Sequence, residues 1–261
     1  MKKFITNKYT LYSFGLIIFF LLWIIISLGI NEPVMIFPNP WDTFAYVGNI
    51  FTTTYFWNSL GYSVLRMIIG FSIALVLALI LGSIAGKNSK IYFLLKPTIT
   101  VLKSVPTAAL VFLFLVLVKA DQVPILIVIL LSFPILYESI SHGIHHVDET
   151  LIEAAKVDGS GYLNLLFHVQ LPLSMPYFLV GVASSFALSF KIEIMAEIIT
   201  GDNGYGLGCA IKYFRSSDPS NMIPVFGYCL VAILLVLAID FFGLKAKKYN
   251  KSKIKPHTSN T

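Results

Sequence analysis

Arg66, Lys191, Glu193 and Glu197 are ionisable side chains set in stretches that are otherwise apolar. At a lipid-facing, mid-membrane position each costs roughly 2.5–3.5 kcal/mol on insertion scales, so a helix showing Lys191, Glu193 and Glu197 together to lipid is disfavoured. On a helix Glu193 and Glu197 share a face, while Lys191 points well away from both. Two chemistries fit that placement. The residues line or gate a passage for a small solute, or they form a structural pair near the end of the segment. A cation in a passage suits an anion, but two nearby carboxylates argue against a simple anion funnel. Arg66 faces the same choice, pathway cation or ion-paired, snorkelling anchor, and the anchor fits it better.

Other groupings carry less. His142, His145 and His146 with Glu149 invite a metal reading, but their spacing is not a zinc pattern and no metal site is expected. Gly82 to Asn88 is one residue short of a phosphate-binding loop, has Asn where a hydroxyl should hold magnesium, and closes an apolar run instead of following a strand. Gly204-x-Gly206-x-Gly208 is too short for a dinucleotide fingerprint and reads as a turn or gate-flanking loop. No nucleophile–base set or catalytic residue can be named, so the chain is not expected to be an enzyme.

The elements that must position these residues are membrane helices. Of 261 residues, 57% are hydrophobic and 12% charged, with a mean hydropathy of +0.81; soluble domains carry about 25% charged residues. Cys209 and Cys229 form neither a disulfide framework nor a ligand spacing. The apolar runs predict six spans, about Leu11–Ile30, Leu60–Ala85, Ile91–Val118, Pro124–Ile140, Pro176–Ile199 and Ile223–Leu244. The first is too long for a signal peptide and lacks a small-residue cleavage site. Asn31 to Asn58 reads as a polar and aromatic connection, with Phe37 to Pro40 marking a turn. Pro97, Pro106 and Pro134 are expected to kink or break their helices.

With the N-terminus inside, thirteen Lys residues fall on cytoplasmic segments and three basic residues (Lys119, Lys212, Arg215) on outer ones. Topology therefore accounts for the net charge of +6 better than nucleic acid does. The expected organisation is a cytoplasmic N-terminus (1–10), one all-helical membrane domain (11–244) and a basic cytoplasmic tail (245–261) that continues into a disordered end. Both termini lie in the cytoplasm of a multi-pass cell-membrane protein.

Between the fourth and fifth spans, about 148–172, lies an exposed cytoplasmic elbow. A helix up to Val157 is broken at Gly159 and Gly161, and a short second helix of about Tyr162 to Val169 is ended by Pro172. Another protein could grip it. The order Glu153-Ala154-Ala155, Gly159, then Val169-x-Leu171-Pro172 resembles the EAA loop of ABC importer permeases, with Val169 for the usual Ile. The resemblance implies that Glu153, Ala154, Ala155, Gly159, Leu171 and Pro172 dock into a cleft on a cytoplasmic ATPase.

Phe37 to Phe44, then Ser63, Leu65, Arg66, Gly70 and Phe71, resemble the nitrate, sulfonate and taurine branch of those permeases. Glu197, Gly206-Leu207-Gly208 and Asp240 resemble its late signature; Val118 to Pro124 departs from it. The implied protein is a six-helix, type I (MetI-like) permease forming the pathway for a small solute, sulfonate-, nitrate- or taurine-like or a vitamin precursor. Its implied partners are ABC ATPase subunits carrying ATP and Mg, an external solute-binding protein and a second permease copy. It would bind no cofactor itself. The rival is an ion-coupled secondary transporter using Glu193 and Glu197 as ion or proton sites.

Overall fold

The computed structural model describes residues 8–30, 33–147, 149–157, 161–201 and 204–253. Every regular element among them is helical: α1 (Lys8–Leu28), α2 (Pro33–Ile36), α3 (Pro40–Ile50), α4 (Thr54–Lys87), α5 (Ser89–Ser104), α6 (Thr107–Leu117), α7 (Val123–His145), α8 (Glu149–Val157), α9 (Tyr162–Leu165), a π turn (Leu166–Gln170), α10 (Leu171–Thr200), α11 (Leu207–Ser217) and α12 (Ile223–Lys253). Five helices are long and apolar enough to cross a membrane, and the bent pair α5–α6 makes up to six.

The centre of the bundle is α7, held between α4 and α10. On α4, Gly70, Ala74, Ala78, Gly82 and Gly86 recur every four residues, and all are buried. That period forms a ridge without side chains, which lets the two backbones close up. A Cβ on Gly70 would lie 2.8 Å from the Ile125 carbonyl oxygen, and one on Gly86 would lie 2.8 Å from Ile144 Cβ. On its other side α7 meets α10 in the same way. Gly181 leaves room for the Ser139 side chain, and Gly143 for Ser174 and Tyr177. Between them Ser132 and Ser189 share a 2.7 Å hydrogen bond, fully buried.

Local signals set the ends. Thr53 caps α4 by accepting from the Phe56 N–H, and Asn88 caps α5 by accepting from the Lys90 N–H. α1 exposes nearly all of its side chains, but Trp23 Nε1 donates to the Pro38 carbonyl at 3.0 Å and Ser27 Oγ to Asn39 Oδ1 at 2.6 Å. The Phe37 to Pro40 segment thus ties α1 to the bundle.

Several expectations are corrected. The connection after α1 is largely helical (α2 and α3), because Pro at the start of each segment is pre-set for a first helical turn. Among the three prolines only Pro106 interrupts its helix: α5 and α6 meet there at 96°. Pro97 and Pro134 sit inside continuous helices, as neighbours in a bundle permit. Pro172 does not end a helix; it sits in the first turn of α10, where its missing N–H is no loss. The helix expected over Tyr162 to Val169 is α9 followed by the π turn, which feeds straight into α10. α12 continues past Leu244 to Lys253, where a tail was expected, since no breaker occurs before Pro256.

Candidate functional site

The polar residues singled out above separate into three places. The first is a buried clamp joining α4, α10 and α11. Glu197, wholly buried near the Thr200 end of α10, accepts from Ser63 Oγ at 2.7 Å and the Gly208 N–H at 2.9 Å on Oε2. Its other oxygen accepts from Arg66 Nη1 at 2.7 Å, an ion pair whose side chains are 12% and 0% exposed. Arg66 Nη1 also donates to the Tyr205 carbonyl at 2.8 Å, and the Leu207 N–H donates to Ser63 Oγ at 2.8 Å. The carboxylate therefore sits at the N-terminus of α11, where free N–H groups favour a negative charge.

The glycines of the 204–208 stretch are part of that geometry. A Cβ on Gly206 would run into the Glu197 carboxylate, and one on Gly208 would meet Glu197 Cβ and the Ile194 carbonyl. Gly201, at φ 56°, closes α10 in the left-handed conformation, and Lys212 packs over it with Nζ donating to the Ile199 carbonyl. Tyr62 stacks on Tyr205 (5.5 Å between ring centroids), and the Arg66 guanidinium lies 5.8 Å over the Tyr62 ring.

Glu193 shares the buried face of α10 with Glu197, as the spacing implied. It is wholly buried, and neither carboxyl oxygen meets a hydrogen-bond donor.

Lys191 lies elsewhere. Its ammonium pairs with Asp240 of α12 at 3.3 Å, and both side chains are about half exposed. A second half-exposed pair, Lys103 with Glu138 at 2.6 Å, joins the end of α5 to α7 beside the Pro106 corner. Sequence reasoning gave neither residue a role. An acid on the apolar α7 with a base ending α5 was the available signal, but only the bend brings the two together.

The third place is the elbow. α8 packs chiefly on α9 and the π turn instead of the bundle. Leu151 is 48% and Val157 87% exposed, so its apolar side is largely uncovered. Glu153 is exposed and Ala155 partly so; Leu171 and Pro172 begin α10. Gly159 and the Ala154 side chain lie outside the described residues. The histidine rings serve packing: His146 stacks on Tyr177 (5.5 Å between centroids), and His142 meets the Tyr92 ring (5.9 Å).

The family model for the binding-protein-dependent transport system inner membrane component matches residues 78–244. The chain belongs to that family. The permease is 25% identical over 230 residues to the nitrate import permease protein of Leptolyngbya laminosa, covering 85% of this chain and 82% of that one. It is 32% identical over 185 residues to a protein of Escherichia coli (strain K12) described as an aliphatic sulfonates transport permease, covering 70% and 68%. In fold it is similar to a chain of the MetNI methionine ABC transporter in an inward facing conformation (TM-score 0.59, 19% identity, 74% and 93% covered). It is also similar to a chain of an amino acid ABC transporter solved with histidines (TM-score 0.63, 16% identity, 77% and 97% covered). The all-helical fold is thus that of an ABC permease, a transport subunit and not an enzyme.

Proposed function

We propose that two copies of this permease form the translocation pathway of an ATP-driven importer for a small solute delivered by an external binding protein. The nitrate and sulfonate relatives point to a small oxyanion or a compact sulfonate as cargo. Each copy docks on one ATP- and Mg-carrying ATPase subunit through Glu153, Ala154, Ala155, Gly159, Leu171 and Pro172. The observation that carries this docking is the elbow itself. It leaves Leu151 and Val157 uncovered while leading through the π turn into α10, the helix that holds Glu197. Force applied at α9 therefore reaches the clamp along one run of helix, Tyr162 to Thr200.

Within the pathway, Lys191 is the better candidate of the original four. Charges half exposed at bilayer depth need water or protein beside them, and Lys191–Asp240 and Lys103–Glu138 both have that exposure. Arg66 and Glu197 act as the clamp that seats α11 on α4. With the N-terminus in the cytoplasm, the elbow faces the ATPase and the clamp faces the binding protein. Alternating access then follows from contacts that differ between the two states.

The test replaces Glu153 or Gly159 and follows co-purification with the ATPase together with solute uptake. Both should fall. Full assembly and uptake in both variants, or uptake by the permease alone, would overturn the proposal.

A further inference from the structure

Among the described residues, Glu193 is a clamp-side acid with no hydrogen-bond donor. A carboxyl taken wholly out of water without a hydrogen-bond donor costs far more than an apolar residue of its size. Glu197 already accepts from Ser63, Gly208 and Arg66, and neither Glu193 oxygen is hydrogen-bonded to it. Among the described residues, the nearest donors with bonds to spare belong to Arg66. Both of its recorded bonds leave from Nη1, although a guanidinium carries five N–H groups in a fixed fork.

Glu193 stands one turn before Glu197 on the same face, a rise of about 6 Å. An arginine side chain is long enough to span a step of that size by a change of rotamer. After the step Glu197 still keeps two donors, Ser63 Oγ and the Gly208 N–H. What is released is the Tyr205 carbonyl, and with it one of the hydrogen bonds that tie the α10–α11 connection to α4.

We propose that Glu193 is the alternate acceptor for the Arg66 guanidinium. The arginine exchanges between Glu197 with Tyr205 in one state and Glu193 in the other, so Glu193 is a positioning residue for transport. This rests on the transport reading above, but its decisive readout does not.

In purified permease in lipid nanodiscs, amide hydrogen exchange of the Gly204–Ile211 stretch reports release of the connection. Glu193→Gln, which removes the charge and leaves only a weaker, neutral acceptor, should slow that exchange about tenfold, the gap between a charge-assisted and a neutral hydrogen bond. Its melting temperature should stay the same or rise, since an unserved acid has been removed. Glu193→Met should behave the same way, and Glu193→Asp, still acidic, should exchange as the parent does. In the full importer Glu193→Gln should lower uptake at least fivefold while assembly with the ATPase is retained.

Unchanged exchange in both Glu193→Gln and Glu193→Met would overturn the proposal. So would faster exchange with a lowered melting temperature, the mark of a merely structural acid. A parent importer that transports nothing would instead strike the proposed function and leave the exchange result standing.

Discussion

Ser63 donates to the carboxylate of Glu197 at 2.7 Å across 134 residues of sequence, and the same hydroxyl accepts from Leu207. One small side chain thus joins α4, α10 and the start of α11. Removing the acid takes from Arg66, whose side chain is only 12% exposed, its carboxylate partner. Breaking a buried pair on one side typically costs about 3–5 kcal/mol. Glu197→Ala should lose less than that, because Glu193 offers the guanidinium a second carboxyl, and Ser63→Ala about 1–3 kcal/mol, the cost of leaving buried partners unmet. Chemical denaturation of the purified chain measures both.

Glycine is required at 206 by the same carboxylate and at 208 by the α10 helix just before it, not by loop freedom. Gly206→Ala places a methyl on the Glu197 carboxylate, and Gly208→Ala one against the Ile194 carbonyl and Glu197 Cβ. Both should melt lower than the parent, and Glu197→Asp, which draws the carboxylate back, should recover part of the loss in Gly206→Ala. A melting curve unchanged by Gly208→Ala would contradict the described contact.

The α4 ridge gives a graded expectation. Gly70→Val pushes a branched side chain against the Ile125 carbonyl and Val128, and overpacking of this kind costs about 1–3 kcal/mol. Gly61, whose added Cβ would meet nothing within 4 Å, is the control; Gly61→Ala should be neutral or stabilising. Unfolding of the two variants side by side is the measurement.

The half-exposed pairs should behave in the opposite manner. Exposed pairs are worth about 0–1 kcal/mol, so Lys191→Met and Lys103→Met should unfold much like the parent. If they border the pathway, uptake kinetics will change while stability does not. Uptake and unfolding unchanged together would remove these residues from the pathway.

At the elbow, Leu151→Asp and Val157→Asp change side chains that touch little of their own chain. Stability should hold within about 0.5 kcal/mol, as for most surface substitutions, while capture of the ATPase should fall severalfold in pull-down.

Much of this was legible before the fold. Period and hydropathy gave the long helices, and the 3.6-residue repeat put Glu193 and Glu197 on one face with Lys191 off it, which is how they lie. Ser63, Arg66, Glu197 and the Gly206–Gly208 pair were each marked out. That they meet in one cluster was not visible, because the contact joins residues more than a hundred positions apart. The ridge from Gly70 to Gly86 was hidden for another reason: small residues in an apolar run look like ordinary hydrophobic sequence until a partner backbone lies against them. Proline was read by local rule alone. Pro97 and Pro134 lie inside helices that continue through them, so only Pro106 marks a true interruption.

The corner at Pro106 has a consequence for what surrounds it. At a right-angled turn inside an apolar stretch Val101 still accepts from the Val105 N–H, but the carbonyls after it lose the amides of a following turn, and hydrocarbon offers them no donor. Acyl chains are therefore excluded as its immediate neighbours; the corner must rest against solvent or polypeptide. Together with the Lys103–Glu138 pair beside it, it marks one wall of the subunit as turned away from the bilayer.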